Sequence, residues 1–415
     1  MSDKRGKRKI GILGFGCVGQ GLYDVLQHNQ LLDVANICVK DKTKDRPLPA
    51  TAFTFDAQEL LQDQSLDLLA ELISDPNEAL LLVRQALQEG KTVVSANKKM
   101  IAENLPELVE LQRQYGGTLL YEAAVCGSIP ILRTLEAYYG TEPLQEISGI
   151  LNGSSNYILH KLDAEGLSYQ EALQQAQVLG FAETNPTLDV GGYDALHKIC
   201  IIAAHAFGVV IPPQEVLRFG ISQVSTQDVA LAQAAGARIK LVASAKINTQ
   251  GKLEVQVLPT FVTPDSELYA VNAEFNGVQL QAKFAGTQFL KGRGAGSHPT
   301  GSAVWADVSA ALAGYKYNYA KLSAAATATV AADALLRVYL RVEHRGELPN
   351  LPWQEVTSFG VNSQVVQLLG TIYRSDLLQH RQELEALGAF IAQVPDELTE
   401  EKLLRAAAVT ELVAA

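Results

Sequence analysis

Four polar residues crowd one stretch of the chain: Glu183, Asp189, Asp194 and Lys198, within Phe181-Ala-Glu-Thr-Asn-Pro-Thr-Leu-Asp-Val-Gly-Gly-Tyr-Asp-Ala-Leu-His-Lys198. A helix starting near Tyr193 puts Asp194 and Lys198 one turn apart on one face. On a solvated helix such a pair contributes roughly a few tenths of a kcal/mol. Here the following run, Ile199–Ala204, is apolar on all sides, so the helix is expected to be buried. A charged pair at the head of a buried helix needs partners or a ligand. Spacing alone leaves the structural pair open beside the functional one. His197 and His205 are read as locally satisfied, because no second pair of ligands stands at zinc spacing.

A second constellation lies near the start. Gly14-Phe15-Gly16-Cys17-Val18-Gly19 follows an apolar run and opens a helical pattern. Glycines at this spacing permit a tight turn, close approach of the backbone to a pyrophosphate, and close helix–strand packing. The helix N-terminus offers free N–H groups to the anion. Past the second strand, Lys40 precedes Asp41: a cation there suits the extra phosphate of NADP, an aspartate the ribose of NAD, and a lysine that only solvates a strand end is the third reading. Lys98, in Ser95-Ala-Asn-Lys-Lys99, and Ser74 follow later strands on the carboxyl edge where open α/β sheets bind ligands. Lys98 is suited to orient a nicotinamide or hydrogen-bond a reacting oxygen, or else is a solvated helix-start lysine. Ser74 either reaches the cofactor or caps the helix after it.

Two further loops stand out. Gly292-Arg-Gly-Ala-Gly296-Ser-His-Pro-Thr-Gly301-Ser302 is glycine-rich and opens a helix, as a ligand loop or a hinge does. Tyr121-Glu122-Ala-Ala-Val125-Cys-Gly127-Ser-Ile129-Pro130 carries one carboxylate plus loop carbonyls at alternate positions, a set suited to a hard monovalent cation. From the residues alone, a plain strand-to-helix loop explains it as well.

The elements that must hold these residues alternate. Strands are expected at Lys9–Leu13, Val34–Lys40, Asp67–Ile73, Thr92–Ser95 and Thr118–Glu122, with helices between, including Val18–His28 and Asn77–Glu89. That alternation predicts a doubly wound parallel sheet, a Rossmann-like domain over 1–140 completed by about 302–336. The pattern changes near residue 145. Strand Glu146–Leu151 precedes helices Ser154–Ala164, Ser168–Leu179 and Tyr193–Phe207, then β-rich segments at Lys240–Ile247, Leu253–Pro259 and Glu274–Ala285. The last is expected to turn at Asn276-Gly277. This predicts an α+β domain over 141–301. Helices are expected again at Ser302–Leu312 and Ala324–Leu336. A small α/β domain is expected over 338–415, from β-like runs Val338–Val342 and Ala389–Val394 around an amphipathic helix, Ser375–Leu387.

Composition narrows the classes. The 415-residue chain has a formal charge of -11, which argues against nonspecific nucleic-acid binding, since a phosphate backbone requires a basic face. Cys17, Cys38, Cys126 and Cys200 form no C-x-x-C pair, so neither a disulfide framework nor a zinc site is expected and a reducing cytoplasm fits. The apolar run Ile10–Gly21 is broken by glycines and lacks a small-x-small cleavage site, so no signal peptide is expected. Ala195–Ile211 is interrupted by His197, Lys198 and His205 and falls short of a membrane span.

Taken together, residues 9 to about 336 resemble homoserine dehydrogenase of the monofunctional, bacterial type. The most specific element is Asp189-x-x-Gly192-x-Asp194-Ala-x-x-Lys198 downstream of Phe181-Ala-Glu183. Ser95-Ala-Asn-Lys98, Tyr121-Glu-Ala-Ala-Val125 and Gly292-x-Gly-Ala-Gly296-x-x-Pro-Thr-Gly301 follow. The resemblance implies NAD(P)H-dependent interconversion of L-aspartate 4-semialdehyde and L-homoserine, at the branch toward threonine, methionine and isoleucine. It implies that Lys98 and Lys198 flank the reacting carbonyl, with Lys198 the preferred proton donor, and that Glu183 and Asp194, beside Asp189, hold the amino acid. It implies cofactor contacts at Gly180 and Gly296 beside Phe15 and Val18. It also implies a structural sodium ion at Glu122, Val125, Gly127 and Ile129, mainly through backbone carbonyls, and a homodimer or higher homo-oligomer built on the central sheet. The chemistry is coherent: hydride arriving at an aldehyde carbon leaves an alkoxide, which needs a cation and a proton at once, and a lysine supplies both.

The chain departs from the family's pattern in three places. Lys40-Asp41 leaves NADP and NAD both open, with NADP favoured. No aspartate-kinase domain is expected before the glycine loop, so the bifunctional fusion is not expected. In the tail, where many bacterial relatives carry a regulatory ACT domain, the usual D-x-P-G-x-L turn is absent, with Glu343-His-Arg-Gly346-Glu-Leu348 a faint echo. A degenerate ACT-like unit at most is expected, without threonine inhibition, and deleting residues after about Val342 is expected to leave an active enzyme. Two competing readings are a dinucleotide-sensing protein without turnover, for which a proton donor would be superfluous, and another amino-acid dehydrogenase on the same scaffold.

Overall fold

Short apolar runs that alternate with amphipathic helices form the first unit. The computed structural model describes residues 7–28, 31–323, 330–331, 334–343, 350–361 and 365–414. Its chain divides into two compact units, residues 1–140 with 293–323 and residues 141–292 with 324–415. The first contains β1 (Arg8–Leu13), α1 (Cys17–Gln27), β2 (Leu32–Cys38), β3 (Phe53–Thr54), α2 (Ala57–Gln62), β4 (Leu68–Glu71), α3 (Pro76–Gln88), β5 (Thr92–Ser95), α4 (Lys98–Tyr115), β6 (Thr118–Leu120) and the short α5 (Ile131–Arg133). The strands form a parallel sheet in the order β3-β2-β1-β4-β5-β6. This is the doubly wound arrangement expected, and its order reverses between β1 and β4, where such sheets open a crevice at their carboxyl ends. Ile10, Ile12 and Leu13 of the central strand are buried, as a sheet covered on both faces requires. β3 and α2 escape sequence reading because they span two and six residues, too short for periodicity to register.

Helix Ser297–Leu312 returns to this unit and packs on α1. The approach is close enough to require glycine on both sides. A Cβ on Gly21 would stand 2.1 Å from the Ser297 carbonyl oxygen, and one on Gly301 would stand 2.5 Å from the Gly21 backbone.

The second unit is built on β7 (Leu144–Ile150), α6 (Gly153–Glu165), α7 (Tyr169–Val178), α8 (Thr187–Val190), α9 (Tyr193–Phe207), β8 (Leu217–Arg218), α10 (Thr226–Ala234), β9 (Arg238–Ile247), β10 (Leu253–Val262), β11 (Phe275–Ala282) and β12 (Gly286–Arg293). The expected turn at Asn276-Gly277 is not there: β11 runs through both residues, and the chain reverses at 283–285. Gly277 is required by packing rather than by a turn, since a Cβ there would meet Val271 at 2.7 Å and the Phe289 ring at 3.0 Å.

The tail departs most from expectation. Strands β13 (Leu335–Glu343), β14 (Glu355–Val361), β15 (Val365–Tyr373) and β16 (Phe390–Gln393) do not form a sheet of their own. They continue the ten-stranded sheet β12-β11-β7-β9-β10-β16-β13-β15-β14, with β8 beside β10. The expected helix over 375–387 is two, Arg374–Gln379 and Arg381–Ala386. Leu377 and Leu384 share one buried cluster with Leu217, Phe219 and Leu258 of the middle segment and Leu336, Val338, Leu340, Val342, Ile372 and Ile391 of the tail. Of the helix expected over 324–336, residues 324–329 and 332–333 lie outside the described residues, and Leu335 and Leu336 already belong to β13. Residues 344–349, which include most of the faint ACT echo, also lie outside the described residues.

Candidate active site

In the first unit the glycine loop joins β1 to α1, and its three glycines have separate physical reasons. Gly14 has a φ of +99°, and a Cβ there would meet the Leu72 carbonyl at 2.6 Å. At Gly19 a Cβ would lie 2.5 Å from the Gly14 carbonyl oxygen. A Cβ on Gly16, by contrast, meets nothing within 4 Å, although Gly16 is the N-cap of α1 and has no side chain to satisfy the helix's first N–H groups. Turn, packing and open backbone are the three requirements of a pyrophosphate cradle, so the residues fit a dinucleotide. A Gly16→Val protein should keep its fold and lose dinucleotide binding by about 10²-fold or more, since a blocked approach forfeits several kcal/mol. Titration with NADPH followed by fluorescence measures it, and unchanged affinity would remove this loop from the site.

Phe15 is buried and stacks edge-on against Phe53 (5.5 Å) and Tyr23 (6.0 Å), which fixes the loop from below, while Val18 is half-buried. Ser297 Oγ donates to the Cys17 carbonyl (2.9 Å), which sets the second glycine loop beside the first. Gly296 there has a φ of +112°.

At the far end of β2, Lys40 is exposed and its Nζ pairs with Glu78 at 2.5 Å, while Asp41 is folded into a turn by Thr43, whose N and Oγ1 both donate to Oδ1 at 2.7 Å. The loop also carries Lys42, Lys44 and Arg46, which the sequence reading passes over. Lys42 and Arg46 lie over Phe55 and Phe53 at 5.1 and 5.3 Å from the ring centroids.

The carboxyl ends of β4 and β5 are locked together by a carboxylate that sequence does not single out. Glu71 is fully buried; Ser95 Oγ donates to its Oε2 (2.5 Å) and Ile73 N to its Oε1 (2.7 Å). Ser95 Oγ in turn accepts from Asn97 N (3.0 Å), and Asn97 Nδ2 donates to the Ile73 carbonyl (3.0 Å) while its Oδ1 caps α4 at Met100 N. This mesh fixes the loop that carries Ser74 and the start of α4, where Lys98 stands. Ser74 is exposed and does not cap α3; Asp75 does, accepting from Asn77 N and Glu78 N. Lys98 is the first residue of α4 and half-buried.

The loop expected to hold a cation is buried throughout at Glu122, Val125 and Ile129, and Gly127 takes a φ of +53°. Both Glu122 oxygens accept backbone N–H groups, from Leu132 (2.7 Å) and Arg133 (2.8 Å) at α5, so the carboxylate is turned to the helix start. Glu122 N donates to Asp307 (2.7 Å), and Arg133 pairs with Asp307 at 3.3 Å. Among the described residues no group of three His, Cys, Asp or Glu is placed to hold a metal. Of the four carbonyls expected to face a cation, that of Glu122 accepts from Val125 N (3.2 Å) and that of Ile129 from Ile131 N (2.9 Å).

Burial pushes the Glu71 carboxyl up to about 7. Burial, then the neighbouring Glu122 carboxylate, pushes Asp307 up to about 8. Both groups hold their proton more tightly folded than unfolded, so stability falls as pH rises from 4.5 to about 7 through Glu71 and from 3.8 to about 8 through Asp307, and is flat above. Glu71→Gln and Asp307→Asn should each flatten the fall in Tm between pH 5 and 8 relative to the parent; parallel Tm–pH curves would contradict this.

In the second unit the sequence-level cluster assembles around the head of α9. Lys198 is buried, 4 % exposed; its Nζ lies 2.7 Å from Asp194 Oδ2 and donates to the Leu151 carbonyl at 2.7 Å. The pair at i and i+4 is thus buried and partnered, not a solvated helix pair. Asp189 joins through a residue that the sequence reading misses: Asn152 Nδ2 donates to Asp189 Oδ1 (2.7 Å) and Asp194 Oδ2 (3.0 Å), bridging two carboxylates that would otherwise repel. Asn152 also caps α6 through Ser155 N. Gly192, at φ +80°, is the N-cap of α9. Glu183 is exposed on the loop after α7, held by Gln177 Nε2 donating to its carbonyl (3.1 Å), and Gly180 ends α7 at φ +75°. Buried His197 and His205 belong to no metal cluster among the described residues.

A doubly wound sheet with a pyrophosphate cradle, and a separate unit presenting a carboxylate-held buried lysine, define a nicotinamide-dependent oxidoreductase. Residues 14–122 match the model of the homoserine dehydrogenase NAD-binding domain, and residues 130–309 match that of homoserine dehydrogenase. The homoserine dehydrogenase of Synechocystis is 39% identical over 312 residues, 72% of each chain, and that of Bacillus subtilis 35% identical over 315 residues, 73% of this chain and 72% of the relative. Among solved structures, a homoserine dehydrogenase from Thiobacillus denitrificans covers 95% of this chain and 99% of its own, with a TM-score of 0.81 at 28% identity. A hyperthermophilic archaeal homoserine dehydrogenase in complex with NADPH covers 75% of this chain and 99% of its own, with a TM-score of 0.64 at 26% identity. This chain belongs to the homoserine dehydrogenase family, NAD(P)-dependent oxidoreductases acting on a CH–OH group. It uses a nicotinamide dinucleotide.

Proposed function

We propose that Lys198 is the proton donor of the interconversion of L-aspartate 4-semialdehyde and L-homoserine, oriented by Asp194. The carrying observation is its buried ammonium, with one donor on the Leu151 carbonyl and the carboxylate of Asp194 beside it. An ammonium has three N–H groups, and the remaining one is offered to the carbonyl oxygen of the substrate. When bound, the dinucleotide would supply the hydride; the alkoxide left on the substrate takes the Lys198 proton, Asp194 keeps the side chain in place, and water returns a proton to Lys198 before the next cycle. Glu183 binds the substrate ammonium, with Asp189 shaping the pocket floor through Asn152. In the other unit, Gly14, Phe15, Gly16, Val18, Gly19 and Gly296 hold the dinucleotide, and Ser74 and Lys98 meet its nicotinamide end. Gly180 completes the cofactor contacts.

NADP is the preferred form on this reading. Supporting it are Lys40, Lys42, Lys44 and Arg46 after β2, against Asp41 and Asp45, and the NADPH complex of the archaeal relative. Initial rates with aspartate semialdehyde test it. Lys40→Ala combined with Arg46→Ala should raise the KM for NADPH about tenfold, the scale of one or two phosphate contacts, and leave the KM for NADH within about twofold. Equal shifts for both cofactors would overturn the preference. Sodium is the proposed ion at the carbonyls of Glu122, Val125, Gly127 and Ile129. We also propose a homodimer built on the open face of the ten-stranded sheet, where Glu146, Ser148, Ser244 and Gln256 supply mixed polar groups. No described helix is long and apolar enough to cross a membrane. The four thiols are free, in keeping with the cytoplasmic location we assign.

A further inference from the structure

We propose that Arg218 is a positioning residue for the reaction, and that the C-terminal segment takes part in catalysis by holding Arg218 through Glu385. The inference rests on the reading of Asp194 and Lys198 just given. Arg218 stands on β8, beside Val257 of β10, with its side chain only 4 % exposed. A guanidinium so deep is retained at a cost unless its donors are used. Its Nη1 donates to the Gly191 carbonyl, its Nη2 donates to Tyr193 Oη (3.1 Å) and Glu385 Oε1 (3.1 Å), and its Cζ lies 3.9 Å from the centroid of the Tyr193 ring, while its buried Nε has no hydrogen-bond partner.

The residues it grips lead directly into the catalytic pair. Gly191 and Gly192 form the turn before α9, no side chain caps that helix, and Asp194 is its second residue. Two consecutive glycines have the widest backbone freedom of any dipeptide. Burial of α9 from Ala195 to Ala206 fixes its axis, but the glycine turn that leads into Asp194 needs something else to hold it. Arg218 does so from one side, and the 219–221 backbone from another: Ile221 N donates to the Val190 carbonyl at 2.7 Å, and a Cβ on Gly220 would meet that same oxygen at 2.3 Å.

Glu385 supplies the remaining hold. It lies on the tail helix Arg381–Ala386, whose Leu384 is buried in the cluster that includes Leu217 and Phe219 on either side of Arg218. The tail is therefore anchored beside Arg218 by apolar packing, and its carboxylate sets the guanidinium's orientation. A ligand or substitution that shifts this helix would act on turnover without touching substrate.

The test uses the full chain. Glu385 is 40 % exposed, so Glu385→Gln should fold as the parent does. It should lower kcat for NADPH-dependent reduction of aspartate semialdehyde about three- to tenfold. Arg218→Met should lower it about 10²-fold, the scale on which small misplacements of catalytic groups act. The KM for NADPH should stay within about twofold in both, because the dinucleotide loop belongs to the other unit. Arg218→Lys should not restore kcat, since one ammonium cannot serve a carbonyl, a ring face and a carboxylate together. Parental kcat in Glu385→Gln, or a rise in the NADPH KM matching the fall in kcat, would overturn the proposal; should Arg218→Met fail to fold, Glu385→Gln decides. Lys198→Ala assayed alongside separates the two claims. Retained turnover there would remove the reading of Lys198 itself, whereas loss there with parental kcat in Glu385→Gln would remove the positioning role alone.

Discussion

Lys198→Ala should fold, bind NADPH with parental affinity, and lose turnover by about 10²–10⁴-fold, the range supplied by a positioned general acid. The loss should fall on kcat, because the ammonium acts on an oxygen whose charge develops only as hydride arrives. The variant should also be less stable. Removing the ammonium leaves Asp194 beside Asp189 in a largely buried site, with the Asn152 amide still bonding both carboxylates. Stranding a buried charge costs up to about 3–5 kcal/mol, and the remaining hydrogen bonds should keep the cost below that. Thermal denaturation read beside the kinetics separates the two effects. A Tm loss with parental kcat would make Lys198 a structural counter-ion and no more.

Truncation after Val342 should yield insoluble protein, against the expectation that sequence alone supports. Deletion removes Leu351, Ile372, Leu377, Leu384, Ala389 and Ile391 from a cluster whose other members, Leu217, Phe219, Leu258, Leu336, Val338, Leu340 and Val342, would remain. At about 1.5–3 kcal/mol for each large side chain, the loss is on the order of 10 kcal/mol, comparable to the whole stability of a typical domain. β13 would also lose both its neighbours, β15 and β16, and become an open apolar edge. Four polar ties, two of them buried, would go as well. Arg341 Nε loses nothing directly, but Arg374, whose Nη2 donates to the Ala331 carbonyl (2.6 Å) and Nη1 to Val255 (3.3 Å), is deleted with Glu385 and Gln393. Soluble expression and size-exclusion profiles of the two forms measure this. A soluble, active 1–342 protein would show that the shared core is dispensable.

What was legible in the sequence is what local chemistry determines. The glycine loop, the alternating strands and helices of the first unit, and the Asp194–Lys198 pair all follow from spacings of a few residues. Asn152 was not legible as a site residue, because its two carboxylate partners lie 37 and 42 residues away. Glu71 and Asp307 read as ordinary acids until tertiary packing buries them. The turn expected at Asn276-Gly277 failed for a similar reason: the dipeptide favours a hairpin locally, but Val271 and Phe289 need a residue without a Cβ there, and strand pairing with β7 prevails. The tail's helix pattern showed that an apolar side must be buried; it did not show against what. Only the pairing of β16 with β10 and the packing of Leu377 and Leu384 on Leu217 and Phe219 answer that.

The most direct test of the central claim is the initial rate of NADPH oxidation with L-aspartate 4-semialdehyde, set beside the rates with 2-oxo acids of similar length, for the parent and Lys198→Ala proteins. The parent should reduce the semialdehyde at least about 10²-fold faster than any 2-oxo acid, the discrimination expected when buried polar groups are left unpaired by the wrong substrate, and Lys198→Ala should lose that activity while still binding NADPH. Equal rates across the panel, or undiminished reduction of the semialdehyde by Lys198→Ala, would contradict it.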